Sequence, residues 1–234
     1  MNELYNEDCL KVFKEIEDES VDLCVTDCPY KIVSGGCTTG KFKTPGGMLC
    51  KDSDKVDLIA LDNLKKGKLF NNNDIKFSDW LPELYRIMKP ETHVYIMINA
   101  RNLKDLQTEA EKTGFKFQNL LVWDKGNAVV NRYYMNAFEL VLMLRKGPAK
   151  NINEMGTSNL LRIPNIIGNK EHPTEKPIQL MEILINNSSK EGDIVIDPFM
   201  GVGATGIACK NLNRNFIGIE IDKKYFDIAK QRIQ

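Results

Sequence analysis

A glycine-rich run set between a strand and a helix constrains this chain more than any other feature. Asp193-Ile194-Val195-Ile196 is short, apolar and rich in β-branched residues, the pattern of a buried parallel strand. Asp197-Pro198-Phe199-Met200-Gly201-Val202-Gly203-Ala204-Thr205-Gly206 follows, and the residues after it, to Leu212, predict a helix. The glycines therefore sit where the chain turns tightly, and residues without a Cβ let a ligand approach the backbone. The acid at the strand end accepts hydrogen bonds, and the first helix amides donate them.

A second strand, Asn215 to Asp222, ends in acids about twenty residues further on, the spacing at which a carboxylate reaches the ribose of a nucleoside held over such a turn. Two rivals compete with that reading. One is an ordinary βαβ unit that binds nothing. The other is a nicotinamide site, against which the run begins Asp-Pro-Phe and lacks the three-glycine spacing of dinucleotide folds.

The N-terminal half carries a second acid at a strand end. Val21 to Thr26 predicts a strand, and Asp27-Cys28-Pro29-Tyr30 follows it. In a parallel sheet with helical crossovers both strand ends face one edge, where open α/β sheets bind ligands. An Asp-x-Pro-Tyr segment suits an amino group conjugated to a heteroaromatic ring. The Asp27 carboxylate and the backbone carbonyl of residue 28 accept its two hydrogens, which frees the nitrogen lone pair, and Tyr30 stacks on the ring. A base inside a duplex must be flipped out to reach such a pocket.

The rest of the chain supplies helices and connectors. Asp8 is placed to cap a helix running from Cys9 to Ile16. Phe77–Met88 and Asn99–Thr113 read as amphipathic helices, His93–Ile98 and Phe115–Trp123 as strands, and Phe138–Leu144 as the antiparallel partner of the latter. His172-Pro173-Thr174-Glu175-Lys176-Pro177 leads into a helix, Ile178 to Ser188, and Lys223 to Ile233 forms the last. Residues 31–76 break all periodicity and hold nine lysines against five aspartates, which suggests a functional or mobile insertion. The connector 124–136 mixes Lys125, Arg132, Tyr133 and Tyr134, residue types that hold phosphates and stack bases.

Basic and acidic residues balance at 32 each, so nucleic acid would be held by a local patch and not a global field. Six cysteines without paired Cys-x-x-Cys spacing predict reduced thiols, and no metal site is expected from them. The opening residues lack an apolar signal core, and no apolar run is long enough to span a membrane. A cytoplasmic protein is expected.

These segments together resemble the DNA amino-methyltransferases of the permuted, or beta, type, the adenine-N6/cytosine-N4 family, over nearly all 234 residues. Asp27-Cys28-Pro29-Tyr30 resembles the family's catalytic Asp-Pro-Pro-Tyr, here preceding the Asp-Pro-Phe-x-Gly-x-Gly cofactor segment as the permuted order requires. Trp80 to Pro90 is similar to the family helix after the catalytic segment. Trp123-x-Lys125-x-Asn127 and Glu139 resemble the region beside the target base. The resemblance implies an α/β, Rossmann-like fold with a mostly parallel seven-stranded sheet and an antiparallel edge hairpin. It implies a single methyltransferase domain, with the insertion at about 31–76 and a short target-recognition region at about 124–170. S-adenosylmethionine is the implied cofactor, held by Asp8, Cys9, His172, Thr174, Asp197, Phe199, Gly201, Gly203, Thr205 and Glu220. Asp27, Cys28, Pro29 and Tyr30 are the implied catalytic segment, and Lys125 and Arg132 are expected at the DNA. Double-stranded DNA is the expected substrate, with a homodimer and a cognate restriction nuclease as further partners.

Adenine is favoured, because the family's adenine enzymes usually open the segment with Asp and its cytosine enzymes with Ser. Cytosine-N4, RNA or protein-amide methylation, and a catalytically weak DNA-binding module, are the alternatives. Two departures stand out. Cys28 replaces the first proline, which leaves the backbone carbonyl but not the fixed φ. Val202 and Ala204 replace residues that often read Ser and Thr in the family.

Overall fold

The computed structural model describes residues 2–30, 75–129, 134–166 and 175–234. Its strands are β1 (Asn2–Tyr5), β2 (Val21–Thr26), β3 (Met88–Ile98), β4 (Lys116–Val129), β5 (Asn136–Lys146), β6 (Leu160–Arg162), β7 (Ile194–Asp197) and β8 (Asn215–Ile219). Its helices are α1 (Cys9–Val12), α2 (Phe77–Ile87), α3 (Leu103–Thr113), α4 (Ile178–Ser188), α5 (Ala204–Asn211) and α6 (Lys223–Ile233). All eight strands form one sheet in the order β1-β8-β7-β2-β3-β5-β4-β6. Pairing is parallel from β1 through to β3, antiparallel from β3 to β5 and β5 to β4, and parallel again to β6.

The sheet holds eight strands, not the seven expected. The strands the sequence pattern did not reveal are the edge strands β1 and β6, of four and three residues. Neither has a run long enough to show alternation; backbone pairing with β8 and β4 defines them. The first helix is also shorter than its apolar pattern suggests. It is α-helical only to Val12 and tightens into a 3₁₀ turn at Phe13–Glu15.

Alternation along the central strands splits the core into two layers. Leu23, Val25, Tyr95 and Met97 face α4, α5 and α6, where Leu184, Ala208 and Ile233 are buried. Val21, Cys24, Val94, Ile96 and Ile98 face α1, α2 and α3, where Val12, Trp80, Leu84 and Leu106 are buried. Burying one such leucine contributes about 1.5–3 kcal/mol, so two full layers fix the strand ends firmly.

Candidate functional site

The two acid-bearing strand ends are neighbours. β2 and β7 pair in parallel, Leu23 opposite Val195 and Cys24 opposite Ile196. At their C-terminal ends Thr26 Oγ1 donates to Asp197 Oδ1 at 2.7 Å. Asp27, the next residue, is thereby held beside the glycine turn. Tyr30 and Phe199 pack against the same apolar layer.

Asp197 is spent on this architecture. Thr205 Oγ1 donates to its Oδ2 at 2.7 Å, and the Phe199 amide to its Oδ1 at 3.1 Å. Burial pushes its carboxyl up to about 6, although these donors pull the other way. Asp197 therefore ties β2, the turn and α5 together. Thr26, which the sequence reading did not single out, is its partner.

Glu220 is arranged differently. Its Oε2 accepts from the Gly201 amide at 2.9 Å and its Oε1 from the Asp222 amide at 2.8 Å. Backbone donors at Asp222, Gly201 and Ile221 leave further lone-pair capacity for a diol. Burial raises its carboxyl above the usual range. Gly201 has φ +53°, and a Cβ there would meet nothing within 4 Å. The backbone thus lies open beside the carboxylate. Phe199 stands edge-on to Trp80 at 5.3 Å between ring centres. An acid for ribose hydroxyls, an open backbone and an aromatic wall fit an adenosyl group. Asp8 caps α1, its Oδ1 accepting from the Leu10 amide at 2.9 Å, and Cys9 is buried behind it.

On the other side of Asp27 lies a chain of four alternating charges. Lys176 Nζ bonds Asp27 Oδ2 and stands 3.5 Å from Glu139 Oε2; Lys125 Nζ lies 3.3 Å from Glu139 Oε1. Glu139 is at the start of β5, opposite Trp123. β5 is antiparallel to β3, so its first residues reach the edge where β2 ends. Lys125 and Lys176 are buried, and the Asp27 side chain is a quarter exposed. Burial opposes the charge of Lys176, but Asp27 and Glu139 outweigh it and hold the proton on. Glu139 also faces a burial penalty, which Lys176 and Lys125 overcome, so its carboxyl falls below the ordinary range. For Asp27 burial wins over Lys176, and its carboxyl rises. Burial and the charge of Asp27 likewise push the Tyr30 hydroxyl up.

Lys125, expected at a phosphate, therefore points its charge into the site at Glu139. Arg132, His172 and Thr174, and most of the 31–76 insertion, lie outside the described residues. Lys176, not named from its own chemistry in the sequence, is the cation at the centre of the site; its one signal was its place in the His172–Pro177 segment. Among the described residues no group of three or more His, Cys, Asp and Glu side chains is placed to hold a metal, and no helix is long and apolar enough to cross a membrane.

The model of the N6/N4 methyltransferase family, described as DNA methylase, matches residues 21–231. The chain is 30% identical to the type II methyltransferase M2.DpnII of Streptococcus pneumoniae, over 99% of this chain and 89% of the relative. It is 32% identical to the type II methyltransferase M.HpaI of Haemophilus parainfluenzae, over 96% of this chain and 71% of the relative. Among solved structures, M1.HpyAVI in complex with SAM superposes with a TM-score of 0.71 at 29% identity, covering 99% of this chain and all of the other.

Proposed function

Since the chain belongs to the N6/N4 DNA methylase family, we propose that it transfers a methyl group to the exocyclic amino group of adenine in double-stranded DNA. S-adenosylmethionine is the cofactor, and when bound it supplies an electrophilic sulfonium methyl.

In this reading the whole chain is one methyltransferase domain, with target recognition in the 31–76 insertion and the 124–170 region. Glu220 and the backbone at Gly201 hold the adenosyl group, with Phe199 against it; Asp8, Cys9, His172, Thr174, Gly203 and Thr205 complete or shape that pocket. Asp27 and the carbonyl of residue 28 accept the amino hydrogens of a flipped base, and Tyr30 stacks on its ring. Drawing those hydrogens into two acceptors takes the nitrogen lone pair out of conjugation and aims it at the methyl carbon. Holding the two reactants in line supplies much of the rate. The chemistry needs Asp27 ionised, because a protonated carboxyl is a weaker acceptor.

The observation that carries the reading is the shared edge: the Thr26–Asp197 bond holds Asp27 beside the cofactor turn. Adenine is preferred to cytosine because the segment opens with Asp. A homodimer and a cognate restriction nuclease belong to the same reading, and are checked by mass in solution and by protection of methylated DNA from cleavage.

Transfer of tritiated methyl to DNA, RNA and protein tests it, followed by nucleoside analysis. Label in DNA as N6-methyladenine, lost in Asp27→Ala, is expected. N4-methylcytosine would replace the base assignment. Label only in RNA or protein, or a parent chain as inactive as Asp27→Ala, would overturn the activity.

A further inference from the structure

We propose that Lys176 is a positioning residue that occupies the acceptor of Asp27 before the base arrives and moves onto Glu139 when the base's amino group takes its place. The inference rests on the functional reading above. Its basis is geometric. The Lys176 ammonium bonds Asp27 Oδ2, an oxygen of the carboxylate that the amino group of the base needs, while Glu139 Oε2 lies 3.5 Å from the same ammonium. Lys125 supports Glu139 from behind at 3.3 Å.

The arrangement answers an electrostatic problem. An empty site would leave two partly buried carboxylates facing one another, and like charges in such a place cannot both stay ionised. One would take a proton, and Asp27, without the Lys125 ammonium that stands beside Glu139, is the one that would. Lys176 between them keeps Asp27 an anion without a bound base. The handover is inexpensive because the cation never loses both partners: as the neutral amino group bonds Asp27, the ammonium stays with Glu139. Among the described residues, the titratable groups facing this cluster include Cys28 and Tyr30 beyond β2 and Asp197 on β7, beside its own Asp27, Lys125 on β4 and Glu139 on β5.

The pH dependence of methyl transfer tests the inference, because a merely structural lysine would not move it. Single-turnover rates on DNA are measured from about pH 6 to about pH 10, with cofactor affinity measured alongside by calorimetry. In Lys176→Met the acid limb is expected to move up by at least one pH unit, costing at least about tenfold on the acid side of the parental limb and recovering in alkali. Lys176→Arg keeps the charge and the parental limb. Adding Glu139→Gln to Lys176→Met removes the opposing carboxylate and returns the limb toward the parent. A Lys176→Met rate reduced equally at every pH, or an unchanged limb with weakened cofactor binding, overturns the inference and makes Lys176 a scaffold or cofactor contact. A parent chain that labels no DNA overturns the functional reading instead, and this inference with it.

Discussion

Arg232 Nη2 lies 2.7 Å from Glu175 Oε1, joining α6 to the residue just before Lys176. The same guanidinium donates from Nη1 to the Val202 carbonyl at 3.0 Å, inside the glycine turn. One side chain thus braces both the cofactor turn and the segment that carries the central cation. Glu175 is almost fully buried, while Arg232 is a quarter exposed. Losing one member of a fully buried pair costs about 3–5 kcal/mol; with a partly exposed partner, about 2 kcal/mol is expected for Arg232→Met. The urea midpoint should fall with the slope unchanged, and cofactor affinity should fall with it. Adding Glu175→Gln should recover part of the stability. An unshifted midpoint in the single variant would show that the pair braces nothing.

Asp197 predicts a pH effect on stability. Its folded pKa, about 6, lies above its ordinary value of 3.8 because of burial. The folded state therefore binds the proton more tightly than the unfolded chain. Above about pH 6 the penalty of the buried anion is fully present, and it is relieved as pH falls from there toward 4. Asp197→Asn cannot titrate. The unfolding free energy of the parent, taken relative to this variant, should rise over that window by on the order of 2 kcal/mol. A flat difference between pH 7 and pH 4 would contradict it. Taking the difference matters, because Glu139 works in the opposite sense, its lowered carboxyl losing stability as acid is added.

The site was legible in sequence to different depths for physical reasons. The strand, turn and helix around Gly201 could be read because period, glycine spacing and a following acid all depend on local order. Glu220 followed from the same logic. Lys125 had a local signature too, a basic residue in an aromatic connector, but its burial beside Glu139 arises from β4 pairing with β5 and has no local signal. Lys176 is hidden for the same reason: it meets Asp27 across 149 positions of chain. β1 and β6 are too short to show a period, and exist because a longer neighbour offers them an edge.

Gly203 is predicted to resist any side chain. Its φ is +85°, and a Cβ would lie 2.9 Å from Ile233 Cδ1 and 3.1 Å from Ala229 Cβ. The left-handed backbone costs a non-glycine residue about 1–2 kcal/mol, and pushing against α6 adds about 1 kcal/mol or more. Gly203→Ala should lower the thermal midpoint and weaken cofactor binding, because the turn is displaced. Gly201→Ala meets open space and pays only the backbone term. It should lower stability less, while obstructing the cofactor directly. If the two variants were equally stable, packing against α6 would not be what fixes Gly203.

Cys28 departs from the Asp-Pro-Pro-Tyr pattern that its segment resembles, and the geometry predicts that its side chain is dispensable for the chemistry. Its Sγ donates a weak bond to the Met97 carbonyl, at 3.9 Å, and the residue is buried in an apolar layer. Burial, with Asp27 adding to it, pushes the thiol well above its ordinary value, so no thiolate forms near neutrality. Iodoacetamide should leave Cys28 unmodified in the folded protein and label it only after unfolding, as read by peptide mapping. Cys28→Ala keeps the backbone carbonyl, and methyl transfer should stay within about threefold of the parent, under about 1 kcal/mol of barrier. The small cavity should cost about 1 kcal/mol of stability. A hundredfold loss of rate with the fold intact would mean that the sulfur itself acts on the substrate, and that the main-chain acceptor does not suffice.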